Sequence, residues 1–299
     1  MKLAVVGSIN MDMTVTAERI PLKGETLRGG SLSYIPGGKG ANQAVAMAKL
    51  GADVEMFGCV GKDENGMKLL ENFKEVGVKT DHISILEDVP TGIAMITVGD
   101  NDNTIIVVPG ANGKVDRDYA DSIKEELKAF DMVVLQHEIP LETVHYLVEF
   151  CSENNIPVVL NPAPAAEVPM EIIDKVTYVT PNEHEAVLIF GNELTTEELL
   201  KKYPEKLVIT QGSRGVSTCL KSGEVLTVPA RPAKVVDTTG AGDTLNGAFS
   251  VQIAKGADMK SALTYANTAA SLSTEKFGAQ TGMPKAQDVE RELDGRAHV

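Results

Sequence analysis

The sequence predicts an α/β protein with a mostly parallel central sheet, flanking helices and a small antiparallel β lid. Short runs rich in β-branched residues alternate with helical patterns along most of the 299 residues. This order is typical of parallel strands joined by right-handed crossovers. Several runs are apolar at every position, as expected for strands that helices cover on both faces. No linker rich in proline, glycine or serine divides the chain, so we expect no second independent domain.

The elements of the body follow in chain order. Strands are predicted at residues 3–6, 54–60, 132–135, 157–160, 177–180 and 207–210. Helical patterns lie at residues 65–76, 116–129, 142–154, 183–190, 195–203, 243–255 and 258–275. A further helix of small residues follows a glycine-rich segment at 36–43, and Gly51 ends it, because glycine readily adopts the left-handed conformation that often follows a helix.

Two segments break this alternation. Residues 13–36 contain alternating apolar positions and then three glycines, without a helical period. Residues 91–108 predict a hairpin whose turn is the Gly-Asp-Asn-Asp-Asn run at 99–103. We assign residues 1–12, 37–90 and 109–299 to an α/β body, and residues 13–36 and 91–108 to a discontinuous β lid over its ligand end. An antiparallel extension of a single sheet is the alternative.

Composition excludes several classes of function. The chain has 28 Lys and Arg against 42 Asp and Glu, a formal net charge of −14. A general nucleic-acid binder needs a basic face, and so does a partner of anionic membranes. Three widely spaced cysteines, Cys59, Cys151 and Cys219, argue against a disulfide framework or a zinc site and favour a reducing cytoplasm. We expect no signal peptide and no membrane span.

The most informative segment reads Asp237-Thr238-Thr239-Gly240-Ala241-Gly242-Asp243-Thr244, directly before a predicted helix. Its glycines allow the backbone to approach a ligand closely, and free N–H groups at the helix start can hold an anion. An aspartate in such a turn can accept the proton of a hydroxyl that attacks a phosphoryl group. Helix capping by Asp243 is the simpler alternative. The flanking glycines and Asp237 favour chemistry.

A second glycine loop, Pro36-Gly37-Gly38-Lys39-Gly40-Ala41-Asn42-Gln43, also precedes a helix. It is not a Walker A loop, because Gly40 rather than Ser or Thr follows Lys39. It is not a G-x-G-x-x-G fingerprint either, because Gln43 stands at the third glycine position. Lys39 and Asn42 can both bond hydroxyl groups, which favours a polar ligand over a tight turn with no ligand.

Polar residues follow several predicted strands. Asn10 and Asp12 project to the same side of an extended chain and could hold vicinal sugar hydroxyls, with an Asx turn as an equal alternative. Other polar residues at strand ends are Glu138, Asn161, Asn182, Glu185 and the segment 210–215. Ligands of α/β sheets bind at the carboxyl ends of strands, so these residues predict one site along the sheet edge. His137 and His184 lie near it, and we assign neither a role.

Together these segments resemble the ribokinase-like sugar kinases, also called the phosphofructokinase-B carbohydrate kinase family. The resemblance runs from Gly7-Ser8-Ile9-Asn10-Met11-Asp12 to Gly278-Ala279-Gln280 and includes residues 37–42, 161–165, 180–183 and 237–244. Each segment alone is unspecific, whereas all of them in this order are highly specific. The resemblance implies a three-layer sandwich that transfers the γ-phosphate of ATP to the 5-hydroxyl of D-ribose.

The resemblance also implies roles for individual residues. Asp243 would be the general base, and the backbone of Gly240, Ala241 and Gly242 would form an anion hole. The sugar would contact Asn10, Asp12, Gly38, Lys39, Asn42, Glu138 and Asp243. ATP would lie along Asn182, Thr210, Gly212, Ser213, Gly215, Gly242 and Asn267.

Cations and a partner subunit are further implications of the resemblance. Glu185 would help to organise Mg²⁺ through water. A monovalent cation, K⁺, would lie beside the anion hole, held mostly by backbone oxygens at Asp237, Thr239, Ser273, Lys276 and Gly278. Gly282 stands where the family often has a hydroxyl residue. The resemblance also implies a homodimer formed through the β lids.

Two alternatives remain open from the sequence. The chain could be a sister kinase for 2-deoxyribose, another sugar or a nucleoside, although Asn10 favours a sugar that has both its 2- and 3-hydroxyls. It could also be a non-catalytic sugar or nucleotide sensor, although the intact turn around Asp243 favours an enzyme. The missing glycine fingerprints disfavour an oxidoreductase.

Overall fold

The fold is built around a six-stranded sheet in the computed structural model, which describes residues 1–100 and 102–297. The strands are β1 Lys2–Val6, β2 Asn10–Thr16, β3 Leu32–Gly37, β4 Asp53–Gly61, β5 Ile83–Leu86, β6 Gly92–Gly99, β7 Asp102–Val108, β8 Met132–Gln136, β9 Val158–Asn161, β10 Tyr178–Val179, β11 Val208–Thr210, β12 Val216–Cys219 and β13 Val225–Val228. The helices are α1 Lys39–Lys49, α2 Glu64–Val76, α3 Arg117–Ile123, α4 Leu141–Glu153, α5 Met170–Lys175, α6 Glu183–Phe190, α7 Thr196–Lys202, α8 Ala241–Ala254, α9 Met259–Ser273, α10 Ala279–Gly282 and α11 Ala286–Ala297.

The central sheet has the strand order β10-β9-β8-β1-β4-β5, and every neighbouring pair runs parallel. The predicted parallel α/β sheet is therefore confirmed. β1 lies between β8 and β4, with Leu3 opposite both Met132 and Val54. Residues 3–6 are fully buried, which explains why this strand is a continuous apolar run.

Helices cover both faces of the sheet and create two hydrophobic cores. The period of two residues along β1 sends Leu3 and Val5 into one core, together with residues of α1, α8 and α9. Ala4 and Val6 enter the other core, together with residues of α3, α4 and α5. The result is a three-layer sandwich in which the strand ends on one edge remain available for a ligand site.

A small antiparallel sheet of β11, β12 and β13 continues this edge. Two isolated parallel bridges, Val179 with Leu207 and Asn182 with Thr210, connect it to the central sheet. The predicted strand 207–210 corresponds to β11. These bridges bring Thr210 to the same edge as the ends of the central strands.

A third sheet, which we call the lid sheet, consists of β3, β2, β6 and β7 in that order. Its outer pairs are antiparallel, but the inner pair of β2 and β6 is parallel, so the prediction of a purely antiparallel lid is wrong in this detail. The reason is that β2 and β6 both start from the body at the same end, where Asn10 lies opposite Gly92. The predicted boundaries at 12/13 and 36/37 fall inside continuous strands. Asn101 of the predicted turn lies outside the described residues.

Several short elements were not predicted from the pattern. They are β5, β12, β13, α5, α10 and α11. Most are too short to show a period, and α11 carries few apolar residues: Val289 is buried and Leu293 packs partly against the core. Tertiary contacts rather than local patterning therefore define these elements.

The cysteines are structural residues. Cys59, Cys151 and Cys219 are all buried and free. Burial raises the pKa of Cys59 and of Cys151 to about 12, so neither thiol is ionised near neutral pH.

Among the described residues, no helix combines the length and the apolar character that crossing a bilayer requires.

Candidate active site

The first part of the site is the entry to α1, where the glycine loop packs on the end of β1. A Cβ on Gly38, whose φ is +89°, would lie 2.8 Å from the backbone nitrogen of Asn10 and 2.9 Å from the carbonyl oxygen of Ser8. Glycine is therefore required by both conformation and contact. Glu138 Oε2 accepts hydrogen bonds from Ser8 Oγ at 2.6 Å and from the backbone N–H of Lys39 at 3.0 Å. The carboxylate of Glu138 thus caps the positive end of α1.

Asn10 is oriented by a residue that sequence reasoning missed. Asn112 accepts the N–H of Ile9 at 2.9 Å through Oδ1 and donates through Nδ2 to Asn10 Oδ1 at 2.6 Å. The amide nitrogen of Asn10 is therefore directed away from Asn112. Asn112 lies in a short 3₁₀ helix, Gly110–Lys114, with no sequence pattern to mark it, so no local signal could have identified it.

The folded structure disfavours the ionised form of Asp12. Burial raises the pKa of Asp12 to about 7, and the nearby carboxylates of Glu138 and Asp243 add to the shift, while Lys39 partly opposes it. Lys39 itself is largely buried, which alone would lower its pKa. Four carboxylates, those of Asp243, Glu138, Glu185 and Asp12, raise the pKa above the ordinary value instead.

Asp243 lies in the first turn of α8, the helix that the glycine turn at 240–242 begins. Gly240 has a φ of +76°, and a Cβ there would lie 2.8 Å from the Cβ of Ala279, so this position also requires glycine. The N–H of Ala241 donates to Thr238 O at 3.2 Å. In the described part of the chain, the N–H groups of Gly242 and Asp243 take no backbone acceptor. The N–H group of Gly240 has no acceptor there either, so the N–H groups of Gly240, Gly242 and Asp243 remain for an anion.

Amide side chains surround the Asp243 carboxylate. Asn42 Nδ2 donates to Oδ2 at 2.9 Å, and Gln43 Nε2 donates to Oδ1 at 3.1 Å. Asp243 is only 6% exposed. The two glycine loops that the sequence singled out therefore meet directly at this carboxylate, although about 200 residues separate them.

Two cavities lie on either side of the segment 238–242. One, of about 480 Å³, lies between the lid sheet and the body and is lined by Asp12 and Thr14 together with apolar lid residues such as Ile35 and Ile96. The other, of about 610 Å³, is lined by residues that include Ala241 and Gly242. Thr238 contributes to the walls of both cavities. A group transferred between ligands in the two cavities would pass the start of α8.

The larger cavity contains most of the residues assigned to the nucleotide. Its lining includes Thr210, Gly212, Ser213, Gly215 and Asn267. Asn267 donates from Nδ2 to the carbonyl oxygens of Val228 and Pro229, at 3.1 and 2.7 Å, so its Oδ1 is the polar atom left for a ligand. Arg231 also lines this cavity, but Glu275 and Glu292 bind its guanidinium group.

Asn182 and Glu185 stand at the start of α6 and form a capping box. Asn182 Oδ1 accepts the N–H of Glu185, and Glu185 Oε2 accepts the N–H of Asn182, each at 2.8 Å. Burial raises the pKa of Glu185 above its ordinary value, while the hydrogen bond from Asn182 and the charge of Lys39 oppose the shift. Neither residue lines the two cavities. Glu185 Oε1 accepts no hydrogen bond in the described part of the chain, so this oxygen fits a water of a hydrated Mg²⁺.

The residues assigned to a monovalent cation gather beside the glycine turn. Burial alone would raise the pKa of Asp237, but donors from Thr239 and Gly278 lower it below its ordinary value. A Cβ on Gly282 would lie 2.4 Å from Ser273 O and 3.4 Å from Lys276 O, so these two carbonyl groups converge there. Carbonyl oxygens suit such a cation. Among the described residues, no cluster of three or more His, Cys, Asp or Glu forms a metal site.

Other polar residues at strand ends differ in what they contact. Asn161 accepts from Gln43 and therefore belongs to the site. His137 Nδ1–H donates to Pro164 O at 3.3 Å, and burial lowers the pKa of His137 to about 4, so it stays neutral near physiological pH. His184 makes no contact with the site residues among the described hydrogen bonds.

Sequence reasoning missed Gln43, Gln136 and Gln280, although Gln43 stands in a segment already selected for its glycines.

The fold and the site together define a small-molecule kinase: an α/β sandwich with two cavities that share Thr238 in their walls, next to the start of α8 and the buried carboxylate of Asp243. Comparison with known proteins gives the particular family. The sequence model of the pfkB family carbohydrate kinases matches residues 1–286, and the chain belongs to this family.

Individual relatives agree with the family. The chain is 49% identical to ribokinase of Bacillus subtilis over 291 residues, which cover 97% of this chain and 99% of that protein. It is 33% identical to deoxyribokinase of Salmonella typhi, with 98% and 99% covered. The structure of Arabidopsis thaliana ribokinase complexed with ribose and ATP is similar, with a TM-score of 0.89, 32% identity and coverage of 97% and 98%.

Asp12 gives a prediction for stability. Its pKa is about 7 in the folded protein and 3.8 when unperturbed, so the unfolded chain binds fewer protons between these values. The free energy of unfolding therefore falls as pH rises from about 4 to 7, and the loss persists above pH 7. We expect Asp12→Asn to raise the melting temperature by roughly 2–6 °C at pH 8, and to change it little at pH 4.

Thermal unfolding of both proteins across this pH range checks the prediction. The same difference in melting temperature at pH 4 and pH 8 would contradict it, since a packing effect of the substitution does not depend on this titration.

Proposed function

We propose that the protein transfers the γ-phosphate of ATP to the 5-hydroxyl of D-ribose, giving ribose 5-phosphate and ADP. The observation that carries the proposal is the position of Asp243, at the start of α8 and beside the segment that separates the two cavities. The 48–49% identity to bacterial ribokinases over nearly the whole chain supports ribose as the sugar.

The reaction follows from the placement of these groups. Asp243 accepts the proton of the sugar hydroxyl as its oxygen attacks the γ-phosphorus. The bond between the γ-phosphorus and the bridging oxygen breaks, and ADP leaves with the electron pair. Negative charge that develops on the phosphoryl oxygens meets the N–H groups of Gly242 and Asp243 and the positive end of α8. When bound, Mg²⁺ neutralises phosphate charge, and Glu185 would hold one of its waters.

The sugar in this proposal lies in the cavity under the lid sheet. Asn10 donates its amide N–H, and Asp12 accepts from the neighbouring hydroxyl, which together fit a vicinal diol. Below pH 7, Asp12 becomes protonated and loses acceptor capacity. Lys39 and Glu138 lie close enough to Asp12 to shift its pKa, and Asn42 donates to the Asp243 carboxylate, although none of the three lines the cavity itself. The lid excludes water that would otherwise compete for the phosphoryl group.

A sister activity on 2-deoxyribose is the second candidate, because the chain is also 33% identical to a deoxyribokinase. A buried Asn10 amide left without its hydroxyl partner would weaken deoxyribose binding. A panel of ribose, 2-deoxyribose, fructose phosphates and nucleosides, compared by kcat/KM, tests the choice. We expect ribose to rank first, and a higher value for deoxyribose or a nucleoside would overturn the assignment.

Asp243→Asn is the direct test of the mechanism. The amide keeps the shape of the side chain and cannot take the proton, so we expect kcat to fall by roughly 10²–10⁴-fold. Ribose affinity, measured by calorimetry, is expected to change much less. Turnover near the wild-type rate would remove Asp243 from the role of general base.

We also propose that K⁺ binds beside the glycine turn, where the carbonyl groups of Ser273 and Lys276 converge and where Asp237 ties Thr239 to Gly278. The cation would hold these loops against the start of α8. We expect turnover to be higher in potassium chloride than in tetramethylammonium chloride at equal ionic strength. Equal rates in the two salts would contradict the proposal.

A homodimer formed through the lid sheets is the final part of the proposal. Ile105 and Ile106 of β7 are strongly exposed, at 54% and 66%, and Met95 on the neighbouring β6 and Tyr34 on β3, at the opposite edge of the lid sheet, are about half exposed. An exposed apolar patch of this kind on an edge strand favours pairing with a second copy.

The free cysteines are compatible with a reducing cytoplasm.

Ile106→Glu tests the lid dimer. A charge in the middle of an apolar interface should shift the mass in solution from dimer to monomer at micromolar concentration. Val187→Glu on α6 is the matched control, because Val187 is 51% exposed and lies outside the lid sheet. A monomeric wild-type protein, or a dimer that survives Ile106→Glu, would contradict this interface.

A further inference from the structure

Gln43 connects the Asp243 carboxylate to a chain of buried amide groups. Its Nε2 donates to Asp243 Oδ1 at 3.1 Å and to Asn161 Oδ1 at 3.0 Å. Its Oε1 accepts from Gln136 Nε2 at 2.7 Å. Both N–H groups and the oxygen of this side chain are therefore used, although the residue is fully buried.

The direction of each amide in the chain is determined by its neighbours. Asn161 donates from Nδ2 to the carbonyl oxygen of Thr180 at 3.2 Å, which leaves its Oδ1 facing Gln43. A backbone carbonyl only accepts, so Asn161 cannot reverse without losing this bond. Gln43 must then present its nitrogen to both Asn161 and Asp243. The arrangement fixes Gln43 as a donor to the carboxylate.

The second oxygen of Asp243 is held in the same way. Asn42 donates to Oδ2, while Gln280 Nε2 donates to Asn42 Oδ1 at 3.0 Å. Asn72 Nδ2 in turn donates to Gln280 Oε1 at 2.8 Å. Two chains of amides, from different parts of the sequence, thus end with one donor on each carboxylate oxygen.

These contacts restrict rotation of the carboxylate. The χ2 torsion of aspartate is broad, so packing alone defines the plane of its oxygens poorly. One N–H donor on each oxygen selects a single plane and leaves the remaining lone pairs for the sugar hydroxyl. Misplacement of a reacting group by about 1 Å can cost about 10²-fold in rate.

One group in this chain of amides has no hydrogen-bond partner that would stabilise it. Gln136 Oε1 is buried and has no hydrogen-bond partner among the described residues. A Cβ on Gly7 would lie 2.1 Å from this oxygen, so the glycine provides the space that the amide occupies. An unsatisfied buried acceptor is unfavourable, and such groups concentrate where function constrains the structure.

We propose that Gln43 is a positioning residue that holds the Asp243 carboxylate in the orientation required to accept the proton of the substrate hydroxyl. The inference rests on the proposed function, because it assigns Gln43 a part in the same reaction. Gln43 acts through Asp243, and no contact of Gln43 with the substrate is required.

Gln43→Met tests the proposal, with Gln136→Met as the matched control. Both substitutions replace a fully buried glutamine by an apolar side chain of similar length, and both should lower the melting temperature. We expect Gln43→Met to lower kcat by roughly 10–100-fold while the Kd for ribose changes by less than about threefold. Gln136 lies one amide further from Asp243, so its variant should lose several times less kcat.

Gln43→Glu supplies a signature that a structural role would not produce. At low pH the introduced carboxyl group is protonated and can still donate to Asp243, whereas at higher pH it is ionised and repels the carboxylate. We therefore expect the ratio of variant to wild-type kcat to fall as pH rises from 5 to 8. A ratio independent of pH would overturn the positioning role.

The outcomes separate this inference from the proposed function. Absence of ribose phosphorylation by the wild-type protein overturns the proposed function, and the kcat comparison is then made with the sugar that the wild-type protein phosphorylates fastest. Equal losses of kcat in Gln43→Met and Gln136→Met overturn the inference. So does a crystal structure of Gln43→Met in which the Asp243 carboxylate keeps its orientation, whatever the activity.

Discussion

The site depends on one buried ammonium group surrounded by carboxylates. Lys39 is charged despite its burial because Asp243, Glu138, Glu185 and Asp12 all stabilise it. Burial is the main cause of the pKa of about 7 at Asp12, and the carboxylates of Glu138 and Asp243 raise it further, because the single charge of Lys39 only partly opposes them. Ligands that donate hydrogen bonds or bring cations would therefore stabilise these carboxylates.

An acidic protein can bind a polyphosphate when backbone dipoles, rather than basic side chains, face the phosphate groups. The cavity of about 610 Å³ contains one arginine among its lining residues, Arg231, and that guanidinium group is bound by Glu275 and Glu292. In the proposed reaction, backbone N–H groups at the start of α8 and a metal ion bound with the nucleotide would therefore hold the phosphates. The net charge of −14 does not bear directly on such a site.

Local signals in the sequence were sufficient for the sheet and for the glycine loops. Continuous apolar runs identify buried parallel strands, and glycines before a helix identify places where the backbone meets a ligand. The glutamines of the site were beyond such reasoning. Gln280 and Asn42 are 238 positions apart, and a buried amide has no periodicity that distinguishes it from a surface one. The role of Gln280 appears only when the fold brings it to Asn42, which in turn donates to Asp243.

The parallel pairing at the centre of the lid sheet has a further consequence for the site. Asn10 is at once a proposed sugar contact and the residue opposite both Gly37 and Gly92 in the ladders of β2. Asp12 lies two residues further along the same strand. A change in the angle of the lid sheet must therefore move the groups that hold the sugar, since they belong to one continuous strand. The boundary between body and lid at 12/13 that we predicted from the sequence falls within this strand.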